Sequence, residues 1–131
     1  MRSGGSWGNP YDLAMVVNLD RGTIVAEHCR VARSPLRRVL GLHLLPPLAE
    51  GDALLLPGAS SMDTTFMRYP IDVVFLDKAG VVRRTVDAMP PWRMVAWARG
   101  ARDCLELPAG ALRVSATTVG DRLAVRPMSE G

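Results

Sequence analysis

Arg68 stands four residues before Asp72 in the run Met67-Arg68-Tyr69-Pro70-Ile71-Asp72, at the entry to a strand that is otherwise apolar on both faces. In an extended chain Ile71, Val73 and Phe75 share one face and Asp72, Val74 and Leu76 the other, so pleating carries the Asp72 carboxylate into a core. A carboxylate placed there requires a partner, and Arg68 is the nearest basic residue in sequence. The pair reads first as a buried ion pair that locks the loop ahead of the strand, with Pro70 restricting the backbone between them. The second reading is a ligand clamp: the Arg68 fork holds a carboxylate or phosphate, and Asp72 sets the direction of the fork from behind.

Acid/base chemistry would need two carboxylates with different environments, and Asp63 with Asp72 is the pair that supplies them. A hydrolase built on Asp63, Asp72 and His43 is therefore the enzymatic alternative. Thr65 and Met67 belong to the same loop, so the candidate ligand-binding set is Arg68, Asp72, Asp63, Met67, Thr65 and His43. His28, Cys29, His43 and Cys104 have zinc-binding atoms but not the short paired spacing of a zinc site, so neither a metal nor a cofactor is expected. The chain has no nucleophile elbow, phosphate loop or dinucleotide fingerprint. Glu106, between Leu105 and Leu107, reads as an exposed or edge-facing residue that answers an arginine, or as a cap of the turn at Pro108-Ala109-Gly110. Trp92 and Trp97 face opposite sides of an extended strand, and an exposed ring there would suit a planar or sugar ligand.

The elements that must position these groups are short. Residues 13–18 and 23–27 read as strands joined by the turn Leu19-Asp20-Arg21-Gly22, a hairpin with an edge open for pairing. Ser34-Pro35 opens a helix that Gly41 ends, with serine at the N-cap and proline at the first helical position. Further strands are expected at 53–56, 71–76, 81–86, 92–98, 103–107 and 121–126, and Asp77-Lys78-Ala79-Gly80 forms the turn of a second hairpin. Residues 108–112 read as a loop or a single helical turn. About eight short strands with one or two short helices predict a mainly β, single-domain sandwich or curled barrel. Its globular body spans 12–126, with tails at 1–11 and 127–131.

Composition sets the outer bounds. With 131 residues and 48% hydrophobic content the chain can bury a real core, and it has no apolar run of membrane-spanning length. The Gly/Ser-rich beginning lacks the apolar centre of a secretory signal, which predicts a cytoplasmic protein with Cys29 and Cys104 as thiols used in packing. A net charge of +3 invites an anionic partner, but the arginines are spread along the sequence, which argues against nucleic acid.

In order and spacing these segments resemble the bacterial and archaeal family catalogued as domain of unknown function 192. The resemblance rests on Arg38 to Gly41-Leu42, Gly51 before 53–56, Met67-Arg68-Tyr69-Pro70-Ile71-Asp72-Val73-Val74-Phe75, Leu105-Glu106-Leu107-Pro108-Ala109-Gly110 and Gly120-Asp121, and it covers residues 13–126. His43 stands where many members carry methionine, Leu40 where they carry arginine, and Asp63 where some carry histidine. The resemblance implies a compact, mostly β fold and brings no established reaction with it. Taken together, these readings predict a domain that binds a small polar or anionic ligand, or a protein segment, in a groove near Arg68 and Asp72. The remaining alternative is an interaction or scaffold domain that pairs through the edge of the first hairpin. Nothing in the residue pattern sets an oligomeric state.

Overall fold

The computed structural model describes residues 12–33, 47–62, 68–91 and 96–128. The helix expected from Ser34, the loop residues Asp63, Thr65 and Met67, and also His43 and Trp92 lie outside them. In chain order the elements are β1 (Asp12–Asn18), β2 (Thr23–Val31), β3 (Asp52–Leu56), β4 (Ser61–Met62), β5 (Ile71–Leu76), β6 (Val82–Met89), β7 (Ala96–Trp97), β8 (Asp103–Pro108), α1 (Ala111–Ser115) and β9 (Leu123–Pro127).

Seven strands form one curled, half-barrel sheet in the order β6-β5-β8-β3-β2-β1-β9, and β4 pairs with β7 in a small second sheet. All neighbours are antiparallel except β2 and β3. The fold is thus mainly β, as the strand pattern predicts. The first hairpin, however, is not an edge: β1 also pairs with β9, and β2 pairs with β3. The edges of the large sheet are β6 and β9. They meet at one end through a bridge between Val81 and Arg122, which curls the sheet toward closure.

The inner strands β3, β5 and β8 are buried on both faces, which explains their nearly continuous apolar sequences. One face carries Val74, Leu76, Leu105, Leu107, Leu55 and Val16, covered in part by Leu112 of α1. The opposite face carries Leu54, Leu56, Ile71, Val73 and Phe75, against which Met62, Ala96 and Ala98 of the small-sheet region pack. Cys29 belongs to the first cluster and Cys104 to the second, so the two buried thiols lie on opposite faces of the sheet. Burial pushes the Cys29 thiol up to about 12, consistent with a packing role.

Candidate functional site

Asp72 is the second residue of β5 and is 1% exposed. Its Oδ1 accepts from the Ala88 N–H at 2.8 Å, and its Oδ2 accepts from the N–H groups of Gly110 at 3.1 Å and Leu112 at 2.9 Å. The register between β5 and β6 shifts between Ile71 and Val73, and Ala88 in the facing part of β6 has a left-handed φ of 44°. That irregularity turns the Ala88 N–H toward the carboxylate, while Gly110 just ahead of α1 and Leu112 in its first turn supply the other two donors. Arg68 is exposed and is not among the partners of Asp72. The expected buried ion pair is therefore corrected: Asp72 does lock the local structure, but to backbone. Three converging N–H groups satisfy its oxygens without the cost of desolvating a guanidinium.

Glu106 departs from the exposed or turn-capping position that its sequence context predicts. It lies in β8, directly opposite Leu54 of β3 on one side and Val73 of β5 on the other. Both neighbours belong to the second core cluster, and Glu106 is 2% exposed rather than edge-facing. It does not cap the following turn, because the Gly110 N–H goes to Asp72. Its Oε2 is buried and has no hydrogen-bond partner among the described residues. Removal from water raises its pKa to about 8, so the carboxyl is predominantly neutral at pH 7.

The Asp72 and Glu106 carboxyls point to opposite faces of neighbouring strands, since Asp72 pairs with Leu107 and Val73 pairs with Glu106. Glu106 shares its face and its end of the sheet with the segment leading into β5. Tyr69 packs against the same core cluster, and its hydroxyl pKa is raised, first by burial and then by the nearby Glu106 charge, while a backbone hydrogen bond at Leu48 acts in the opposite sense. The Arg68-Tyr69 segment of the Met-Arg motif and the Glu106 of the Leu-Glu-Leu motif thus converge on one region. The signal for this was present in the sequence: a glutamate among Cys104, Leu105 and Leu107 is as anomalous as an aspartate between Ile71 and Val73. Asp72 and Arg68 are not brought together, and two surface cavities of about 500 and 600 Å³ include neither of them nor Glu106.

With a curled mainly β sheet and a buried carboxyl beside the Arg-x-x-x-Asp segment in place, the chain can be set among known proteins. The family model of domain of unknown function 192, described as "Uncharacterized ACR", matches residues 16–125, and the chain belongs to this family. A UPF0127 protein of Pyrococcus furiosus is 32% identical over 113 residues, covering 82% of this chain and 95% of the relative. A UPF0127 protein of Thermococcus sibiricus is 28% identical over 115 residues, covering 83% and 73%. Among solved structures, a protein of unknown function from Novosphingobium aromaticivorans superposes with a TM-score of 0.71 at 17% identity, covering 86% of this chain and 83% of that one. At that identity the likeness concerns the fold alone. Among the described residues, no helix is long and apolar enough to cross a membrane.

Proposed function

We propose that this domain binds a small polar or anionic ligand at the end of the sheet where Arg68, Tyr69 and Glu106 gather. The observation that carries the reading is Glu106 Oε2, a polar atom buried among aliphatic side chains with no partner among the described residues. Buried polar groups are almost always paired, so an orphaned one calls for a partner, which in this reading is a ligand atom. A neutral carboxylic acid is a hydrogen-bond donor, so the complementary ligand presents a carbonyl or carboxylate oxygen. The exposed Arg68 supplies the positive charge that draws an anion to this end. The groove is therefore proposed at Arg68 but on the face opposite Asp72, whose oxygens already serve three backbone donors. The same engagement counts against the hydrolase alternative, which requires Asp72 as an acid or base.

The test is a thermal-shift screen against carboxylic acids and phosphorylated metabolites, since a ligand of the native state raises apparent stability by about 2.7 kcal/mol at 100 times its Kd. Glu106→Leu fills the site with an apolar side chain and removes the donor. It should raise the melting temperature of the unliganded protein and abolish the ligand shift. Glu106→Gln keeps a neutral donor and should retain the shift. Wild-type binding should weaken as pH rises through about 8, where Glu106 ionises. A ligand shift that survives in Glu106→Leu would rule out this site.

A further inference from the structure

Another groove, at the Val82 end of β6, has a different chemistry. Its volume is about 600 Å³, and its lining includes Arg83, Arg84, Trp97, Arg99 and Val119. In a regular strand, consecutive residues such as Arg83 and Arg84 would point to opposite faces. Here Phe75 pairs with Arg84 and Leu76 pairs with Val82, which leaves Arg83 as the extra residue of a bulge, and both arginines line the groove. Arg84 Nη1 reaches across to the Trp97 carbonyl at 2.5 Å and holds the short strand β7 beside β6. The Trp97 side is left open: the residue is 61% exposed, an unusual state for a tryptophan.

The charges of the groove are unbalanced. Arg83, Arg84 and Arg99 are all exposed, and among the described residues the carboxylate that approaches them is Asp77, 3.9 Å from Arg83 Nη1. Asp77 Oδ1 accepts from the N–H groups of Ala79 and Val81 at 2.9 Å while Oδ2 faces Arg83, so its single charge offsets one of the three guanidinium charges. The site thus combines guanidinium forks suited to a phosphate with an open indole suited to a planar ring, in a volume within the usual range for small-molecule sites. We infer that the groove of Arg83, Arg84, Trp97 and Arg99 is a mononucleotide site, with the base stacked on Trp97 and the phosphate held by Arg83 and Arg99. This inference is independent of the ligand proposed at Glu106.

The experiment titrates the full chain with adenosine monophosphate, following tryptophan fluorescence and heat of binding, beside inorganic phosphate, adenosine and a single-stranded oligonucleotide. The nucleotide should saturate at one site and bind at least about tenfold more tightly than phosphate or adenosine alone, since stacking and phosphate contacts act together. Trp97→Ala should remove the fluorescence change and weaken binding about tenfold or more. Arg83→Ala with Arg99→Ala should weaken it at least as much, whereas Glu106→Leu should leave it unchanged. Circular dichroism establishes that the variants are folded. No saturable nucleotide binding at millimolar concentration, equal affinity for phosphate and nucleotide, an unaltered Trp97→Ala titration, or binding of the oligonucleotide without the mononucleotide would each overturn the assignment.

Discussion

Asp72 and Glu106 are carboxyls on paired strands, yet their surroundings assign them opposite roles. Asp72 receives three backbone N–H groups from two separate elements, so it acts as a structural brace between β6 and the start of α1. Asp72→Asn keeps the shape but replaces one acceptor oxygen by a donor that must face an N–H. The expected loss is about 1–3 kcal/mol, the usual penalty for a buried polar group left unsatisfied, and it should appear in chemical denaturation as a lower midpoint with an unchanged slope. Among the described residues Glu106 Oε2 has no such donor, and burial keeps the carboxyl predominantly neutral. The sequence made Asp72 conspicuous but not its partners, because the N–H groups of Ala88, Gly110 and Leu112 come from 16 to 40 residues away. Arg68 was only the nearest cation in the chain.

At the scale of elements, the second hairpin was legible throughout: Asp77 takes the Ala79 and Val81 N–H groups, and Gly80 completes the turn. Gly80 has a φ of 84°, and a Cβ there would lie 2.6 Å from the Leu123 carbonyl oxygen, so the turn and the contact with β9 both require glycine. Gly80→Ala should therefore destabilise by about 1–3 kcal/mol, read as a lower melting temperature. Strand ends were less legible. β6 continues to Met89, beyond the expected 86, because the irregularity at Ala88 lets pairing resume at Ile71 and Met89. The two-residue strands β4 and β7 are too short to leave a periodic pattern. The residues read as a loop or single turn open into the five-residue helix α1. The first hairpin was misread as an edge because its pairing with β9 joins opposite ends of the chain, which local patterning does not encode.

At the scale of the molecule, the end where β6 and β9 meet is fastened by a polar network. Asn18 Nδ2 donates to Thr117 at 3.1 Å and to Asp121 at 3.0 Å, and Arg21 Nε donates to Asp121 at 3.1 Å. The hydrogen bond from Asn18, followed by that from the Thr118 N–H, lowers the Asp121 pKa to about 2. A carboxyl depressed in the folded state contributes stability above its ordinary value near 3.8, and that contribution is lost as pH falls toward 2. Thermal unfolding should accordingly show a falling melting temperature across this window, with a shallower fall in Asp121→Asn. Charge is also organised at this scale: the consecutive Arg83 and Arg84 meet Arg99, from a separate segment, around Trp97. A linear count of basic runs misses such a groove because the bulge at Arg83 and the placement of β7 create it.

We propose Glu106 as a buried, neutral acid whose proton meets a ligand oxygen, and carbon-13 NMR of glutamate-labelled protein tests this most directly. The chain has four glutamates, Glu27, Glu50, Glu106 and Glu130, which makes the carboxyl spectrum assignable. One carboxyl resonance, absent in Glu106→Gln, should titrate near 8 and move higher when an acceptor ligand binds. If the Glu106 resonance instead titrates in the ordinary range near 4.5, the carboxyl is ionised at neutral pH and the account of the site is wrong.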